Sequence, residues 1–120
     1  EDERHVLPAV RTICESYVWF CKSRPWVQAC ASSLTELFAP KIHAQRIESF
    51  PKHYPWIPDA GLEYFRSRLV QAPRDVRHGL AIVQRHCTTV ETQRQAFEAL
   101  AFKLEMLWSM IDTIHNAYRE

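Results

Sequence analysis

Glycine is scarce in this sequence, with two among its 120 residues. Chains rich in tight turns use glycine often, because it adopts positive φ angles without strain. Hydrophobic residues make up 47% and aromatic residues 12% of the chain, so a disordered segment is not indicated either. These proportions favour long helices in a single small domain that spans residues 1–120.

The sequence also lacks a charge excess, a long apolar run and paired cysteines. Lys and Arg number 15 against 14 Asp and Glu, which leaves a formal charge of +1 and no general attraction to nucleic acid or to a membrane. No apolar run approaches the roughly 20 residues of a membrane-spanning helix. The four cysteines form neither a CxxC pair nor a zinc-site spacing, and no signal sequence is recognisable, so we expect reduced thiols in a cytoplasmic protein.

Several catalytic motifs are missing. The sequence has no glycine-rich phosphate loop, no nucleophile elbow and no Glu-x-x-His motif of the kind that holds two irons in helical bundles. The corresponding nucleotide, hydrolase and ferritin-like sites are therefore not indicated.

Apolar residues recur at helical spacing along most of the chain. The spacing predicts a first helix from Val6 to the break at Arg24-Pro25, a second over residues 26–37 and a third over residues 40–50. Further helices are predicted over residues 62–71, 73–87 and 89–118. The last of these carries the strongest stripe, which consists of Phe97, Leu100, Leu104, Leu107, Ile111 and Ile114. With no sign of β-strands or repeats, we expect an all-α bundle of about five or six helices.

Prolines and a cap mark the expected ends of these helices. Residues 51–59 hold three prolines among aromatic side chains, which predicts an extended connection. Pro73 is expected to separate the helices on either side of it. Thr88 and Glu91 fit a capping box, in which Thr88 accepts a backbone hydrogen bond and Glu91 reaches back.

Two polar residues lie within the apolar sector of the last helix. On a helical wheel, Lys103 falls between Leu107 and Met110. Either its stem covers the core while the ammonium reaches solvent, or the ammonium contacts a buried anion. His115, near the helix end, is expected to be a hydrogen-bonded core histidine.

Glu36, His43 and Arg46 are spaced at helical turns around Pro40. If Pro40 only kinks the helix, a carboxylate, an imidazole and a guanidinium converge. A surface ion pair is the other interpretation of the same spacing.

Two further pairs lie on the helices after residue 62. Tyr64 and Arg68 are one turn apart at the edge of a polar sector, and periodicity favours a solvated face for both. Asp75 and His78, three residues apart, resemble half of a metal site in a helical bundle.

Five separate runs of the sequence resemble those of one enzyme family. They are SSLTELFAPKIHAQRI, PKHYPWI, GLEYFRSRL, RDVRHGL and FKLEMLWSMID. In these runs, over about residues 3–118, the chain resembles the pyrroloquinoline-quinone synthases. The resemblance implies a compact helical bundle of the haem-oxygenase-like fold, usually a homodimer.

The resemblance also implies a function in the biosynthesis of pyrroloquinoline quinone. It indicates a cofactor-free oxidase whose precursor is 6-(2-amino-2-carboxyethyl)-7,8-dioxo-hexahydroquinoline-2,4-dicarboxylate. The enzyme closes the last ring of this polycarboxylate, passes electrons to O2 as co-substrate and releases H2O2. Pyrroloquinoline quinone is then the product, and neither a metal nor a cofactor is expected.

The resemblance further implies roles for individual residues. Three would form the catalytic end of the site that handles oxygen and peroxide, with the first as an acid/base group: His43, Tyr64 and Arg68. The others would hold the substrate or line its pocket: Glu36, Arg46, Lys103 and Tyr17. A polycarboxylate needs charge-assisted donors, and fixed cations stabilise a quinol anion or a peroxide.

Members of that family are about twice as long as this chain, and the resemblance begins midway along them. We therefore expect these residues to form the C-terminal half of the fold, with the N-terminal half as a missing partner. On that interpretation the chain alone is inactive, and its apolar stripes favour homo-oligomers.

Two other interpretations remain open. One is a non-catalytic binding or interaction module that keeps the wall of the quinone pocket. The other is a metal-dependent oxidase of the same superfamily, which requires four side chains to converge: Glu36, His43, Asp75 and His78. Arg77, where relatives tend to carry an acid, is expected on an outer face.

Overall fold

The computed structural model describes residues 5–119. Within them lie five α-helices and two short 3₁₀ helices, and these described residues contain no β-strand. The α-helices are α1 (Pro8–Ser23), α2 (Trp26–Ser32), α3 (Ala39–His53), α4 (Glu63–His86) and α5 (Val90–Tyr118). The 3₁₀ helices span Ser33–Phe38 and Asp59–Leu62. The all-α prediction is confirmed.

The core lies where α2 meets α5 and α1. α2 packs against both α4 and α5, α3 packs along α4, and α1 packs along α5. The small side chains of Ala31 and Ala99 are almost fully buried and allow α2 and α5 to approach closely. Phe20 completes this cluster, and its ring stacks on that of Phe102 with centroids 4.7 Å apart.

Two predicted helix ends are wrong because prolines lie inside helices. α4 continues through Pro73, so the expected division into two helices does not occur. Pro73 cannot donate to the carbonyl of Leu69, but the packing of α4 on α2 and α3, with Ala72 fully buried, keeps the helix continuous. α3 passes the predicted end at residue 50 and includes Pro51, which removes one hydrogen bond near the helix end.

The ends of α2 and α5 also differ from the prediction. The predicted helix over residues 26–37 is α-helical only to Ser32 and continues as the first 3₁₀ helix. The capping box of α5 lies one residue later than predicted: Thr89 accepts from the N–H of Thr92 at 3.2 Å, and the Thr92 hydroxyl accepts from the N–H of Thr89 at 3.1 Å. Glu91 is the second residue of α5, so Thr92 takes its place in the box, and Glu91 pairs with Arg94 instead.

The predicted stripe of α5 is not the face that α5 buries. Phe97, Leu104 and Ile111 are 75%, 43% and 61% exposed, whereas the buried residues of this helix are Ala99 and Met106. α5 is apolar on most sides, so periodicity could not indicate which side the neighbouring helices cover.

The molecule is extended, and much of its surface is apolar. Its Cα radius of gyration is 16.7 Å and its extents are 50 × 33 × 26 Å, whereas a compact domain of this length has a radius of gyration of about 14 Å. Its accessible surface is 9126 Å², against roughly 6,700 Å² for a compact protein of this mass. Large side chains such as Trp56 and Trp108 contribute to the excess, and Arg77 lies on the surface as expected. No helix in the described part of the chain has the length and apolar character needed to cross a membrane.

Candidate functional site

His43 of α3 lies buried against α4. Its residue exposure is 7%, and its ring centroid lies 5.9 Å from that of Tyr64 and 5.5 Å from that of Phe65. Its Nδ1 atom is buried and has no hydrogen-bond partner in the described part of the chain. A buried polar atom without a partner costs free energy, and nothing in the described residues compensates this nitrogen.

The pKa of His43 is lowered from its ordinary value. Burial is the main cause, because it disfavours the charged imidazolium. The guanidinium of Arg46 acts in the same direction, Glu36 opposes it, and Arg68 adds a further lowering. The imidazole is therefore neutral at pH 7 and can accept a proton.

Arg68 of α4 is held between two carboxylates. It donates to Glu36 of the first 3₁₀ helix at 2.7 Å and to Asp75, two turns further along α4, at 3.2 Å. The hydrogen bond to Glu36 is the main cause of the raised pKa of Arg68. The Arg68 side chain is 17% exposed, so the prediction of a solvated face is wrong for this residue. Tyr64 is 62% exposed, as that prediction requires.

Arg46 lies one turn after His43 on α3. Its guanidinium carbon is 5.5 Å from the ring centroid of Phe65, which is within cation–π range. Among residues 5–119 it has no carboxylate partner. The positive charge of Arg46 is therefore available to an anion.

Lys103 of α5 contacts Tyr17 of α1. Its Nζ atom lies 3.2 Å from the centroid of the Tyr17 ring. Burial lowers the pKa of Lys103, while the thiols of Cys21 and Cys14 and the carboxylate of Glu36 oppose this effect. The ammonium thus lies on an aromatic face, and no anionic side chain pairs with it among the described residues.

Tyr17 is fixed in turn by Ser32. The two hydroxyl groups are 2.9 Å apart, and Ser32 is fully buried at the end of α2. Burial raises the pKa of Tyr17, so the phenol is neutral at pH 7. A cavity of about 240 Å³ is lined by Tyr17, Lys103 and apolar residues of α1 and α5.

Glu36 connects the two groups of predicted site residues. It binds Arg68 directly and acts on the pKa of both His43 and Lys103. Carboxylate, imidazole and cations thus face one region between α3, α4, the first 3₁₀ helix and α5. A larger cavity of about 770 Å³, lined by α1, α2 and α5, contains none of the predicted site residues.

Sequence reasoning missed three contributors to this region. Phe65 supports both His43 and Arg46, and its place beside Tyr64 in the GLEYFRSRL run could have indicated it. Asp75 was considered only as a metal ligand, although its seven-residue separation from Arg68 allows an ion pair across two helical turns. Ser32 gave no signal, because a serine near a helix end is common for other reasons.

Two other expectations fail. His115 is exposed near the end of α5, so it is not a core histidine. In the described part of the chain, no three His, Cys, Asp or Glu side chains form a group that could hold a metal ion. The residues considered for a metal-dependent oxidase thus do not converge, because Asp75 is held by Arg68 and Arg74.

The sequence matches the profile of one family, described as TENA/THI-4/PQQC, over residues 1–113. The chain belongs to the TENA/THI-4/PQQC family. The helical haem-oxygenase-like fold of that family agrees with the α-helices found here.

Curated relatives named pyrroloquinoline-quinone synthase resemble the chain closely. The protein of Klebsiella pneumoniae subsp. pneumoniae is 53% identical over 116 residues, which cover 97% of this chain and 46% of the relative. That of Pseudomonas savastanoi pv. phaseolicola is 57% identical over 113 residues, or 94% of this chain and 45% of the relative. That of Pseudomonas aeruginosa is 54% identical over 116 residues, or 97% and 46%. The chain spans about half the length of the relatives it matches.

Proposed function

We propose that this chain supplies part of the active site of a pyrroloquinoline-quinone synthase. The complete enzyme is a cofactor-free oxidase that closes the last ring of the quinoline precursor and oxidises it with O2, releasing H2O2. The observation that carries the proposal is the buried neutral imidazole of His43 beside the guanidinium of Arg46; among residues 5–119 the His43 Nδ1 atom has no hydrogen-bond partner and Arg46 has no carboxylate partner. The names of the relatives support the substrate class.

The charges of the site suit a substrate with several carboxylates. Among the described residues, Arg46 and Lys103 have no carboxylate partner. Each can therefore donate hydrogen bonds to an anionic group of the substrate. Arg68 is partly neutralised by Glu36 and Asp75, which fix its orientation. Arg46 is therefore the first cation we expect a carboxylate to contact.

His43 is suited to the transfer of protons during ring oxidation. Each two-electron oxidation removes two electrons and two protons from the ring, and O2 takes up both as H2O2. A neutral imidazole can accept a proton from the substrate, and the adjacent guanidinium of Arg46 stabilises the negative charge that develops. Tyr64, whose ring contacts His43 edge-on, lies at the open side of the site.

The same geometry allows a second candidate function, a binding module without turnover. Tyr64 is 62% exposed, so the described residues leave one side of the site open to water. Oxidation of a reactive intermediate benefits from the exclusion of water, whereas binding of a polycarboxylate requires only the cations.

Binding of pyrroloquinoline quinone to the chain tests the site itself. We expect saturable quenching of tryptophan fluorescence, weakened about tenfold by Arg46→Met because one charge-assisted contact is lost. The matched control is Arg66→Met on α4, whose guanidinium is paired with Asp59 outside the site. Equal affinities for the two variants would show that the quinone does not bind at Arg46.

A further inference from the structure

A series of contacts joins Ser32 to Lys103 across three helices. Ser32, the last residue of α2, is fully buried. Its hydroxyl oxygen lies 2.9 Å from that of Tyr17 on α1, and the Nζ atom of Lys103 on α5 lies 3.2 Å from the centroid of the Tyr17 ring. The Tyr17 side chain therefore has a buried hydroxyl group at one end and a cation over its face. Any further segment packed on the chain would leave Ser32 buried.

A second contact fixes the direction of the hydrogen bond between the two hydroxyl groups. The Ser32 hydroxyl donates to the carbonyl oxygen of Ala29, with 2.7 Å between the oxygen atoms. A serine hydroxyl has one proton, and a carbonyl oxygen accepts hydrogen bonds but does not donate them. The proton between the two hydroxyl groups therefore comes from Tyr17, and the Ser32 oxygen accepts it.

The other contacts of the Tyr17 ring hold it less tightly in place. The ring packs against the buried cluster of Phe20, Ala31 and Ala99, and it stacks on Phe20 with centroids 6.3 Å apart. Apolar contacts of this kind are not directional, so they keep the ring in the core without fixing where its hydroxyl end lies. A hydrogen bond is directional. The contact with Ser32 therefore determines where the Tyr17 ring lies beneath the ammonium.

The position of the Lys103 ammonium depends on that ring. A lysine side chain has a flexible stem of four carbons, and its ammonium does not occupy a fixed position without a partner. Among the described residues, Lys103 has no carboxylate partner, and the carboxylate of Glu36 is bound to Arg68. The face of the Tyr17 ring, which attracts a cation, is thus the contact that holds the ammonium.

We propose that Ser32 is a positioning residue, which acts through Tyr17 to hold the Lys103 ammonium where an anionic group of the substrate binds. The substrate in this inference rests on the proposed function, whereas the link from Ser32 to Lys103 rests on contacts within the chain. Ser32 itself is fully buried and has no surface for a substrate to touch. Its effect on binding therefore passes through the two side chains between them.

Nuclear magnetic resonance of the chain, labelled with ¹³C-lysine, tests this link without a ligand. Protons above the face of an aromatic ring are shifted upfield by the ring current. The methylene protons beside the ammonium of Lys103 should therefore lie upfield of those of the other lysines, and Lys103→Arg identifies their signal. Ser32→Ala should move this signal towards those of the other lysines, because the ring loses the partner that holds its hydroxyl end.

Two variants separate positioning from a structural role of Ser32 in α2. The matched control is Ser33→Ala, since the Ser33 hydroxyl also donates to the carbonyl three residues earlier, that of Cys30 at 2.6 Å. It should leave the Lys103 signal unchanged. Tyr17→Phe keeps the ring without its hydroxyl and should move the signal as Ser32→Ala does. Adding Ser32→Ala to Tyr17→Phe should then move it no further, because the contact is already absent.

Binding of pyrroloquinoline quinone, followed by the quenching of tryptophan fluorescence, tests the consequence for the site. Ser32→Ala should weaken binding roughly three- to tenfold, which corresponds to the loss of a cation–π contact that holds the ammonium. Ser33→Ala should bind as the unaltered chain does. Equal affinities for these two variants would show that Ser32 does not position a binding group.

The outcomes distinguish this inference from the proposed function. If the unaltered chain does not bind the quinone, the proposed function is contradicted, and the Lys103 signal still decides the link to Ser32. A Lys103 signal that keeps its full upfield shift in Tyr17→Phe would overturn the inference, because the hydroxyl is then not needed to place the ring. This variant removes one oxygen atom, so it decides the question even if Ser32→Ala does not fold.

Discussion

Burial of the neutral His43 imidazole makes the stability of the fold depend on pH. Because the pKa is lower in the folded chain than in the unfolded chain, the unfolded chain binds more protons between the two values. Stability therefore rises with pH up to the unfolded value of about 6.5 and is lost below it. Urea unfolding at pH 7.5 and 5.5 should show this loss, and His43→Gln should reduce it.

The carboxylates with lowered pKa do not obscure that result. Asp75, for which hydrogen bonding to Arg74 is the main cause, contributes stability that is lost only as pH falls below about 4. Equal losses between pH 7.5 and 5.5 in the unaltered chain and in His43→Gln would show that the imidazole is not held neutral.

The contact between Glu36 and Arg68 should stabilise the fold more than an ordinary surface ion pair. Glu36→Gln leaves the 17%-exposed Arg68 side chain without its nearest carboxylate, and we expect a loss of about 1 kcal/mol in the free energy of unfolding. Glu48→Gln is the matched control, because Glu48 pairs with Lys52 on a fully solvated face and its loss should be smaller. Equal losses in urea unfolding would contradict a structural role for Glu36.

The site residues differ in how far the sequence could indicate them. His43, Arg46 and Arg68 lie in distinctive runs, so resemblance to a family pointed to them, and the structure brings them together. Helical periodicity alone placed Arg68 on a solvated face, because a wheel does not show that Glu36 arrives from another element. The contact of Lys103 with Tyr17 depends on how α1 crosses α5, which no local pattern contains.

At the scale of the helices, Pro73 inside α4 should lower the free energy of unfolding. A proline in a helix interior removes a hydrogen bond and crowds the preceding turn, at up to about 3 kcal/mol. Pro73→Ala should therefore raise the thermal midpoint, with a gain of about 1–2 kcal/mol after the greater entropy of the unfolded chain is counted. Pro40→Ala, in the first turn of α3 where no helical donor is lost, should give no gain.

A lower midpoint for Pro73→Ala would contradict this expectation. It would mean that a distortion at Pro73 is needed to fit α4 against α3 and the first 3₁₀ helix. Calorimetry of the two variants beside the unaltered chain distinguishes the outcomes.

Periodicity and caps predicted the presence of these helices more accurately than their ends. The breaks expected at Pro73 and Pro51 did not appear, because tertiary packing outweighs the cost of one missing hydrogen bond. The side that α5 buries could not be predicted either. It is decided by the small Ala99, which faces Ala31, and not by the largest apolar residues.

At the scale of the whole molecule, the extended shape predicts that the free energy of unfolding falls only slowly as the urea concentration rises. The urea m-value scales with the surface exposed on unfolding, and a folded surface of 9126 Å² leaves less to expose. We expect an m-value roughly a sixth below that of a compact protein of this mass. An m-value equal to that of compact domains of this length would indicate that the chain is more closed in solution.

The proposed function is tested most directly by an oxidation assay in which the chain is completed. The remaining part of the Pseudomonas aeruginosa relative, made as a separate polypeptide, is mixed with the chain and the quinoline precursor under anaerobic conditions, and O2 is then admitted. We predict formation of pyrroloquinoline quinone and H2O2 by the mixture, background levels for the chain alone, and precursor binding without oxidation when the chain carries His43→Asn. Oxidation at an undiminished rate by the His43→Asn mixture would contradict the role given to His43.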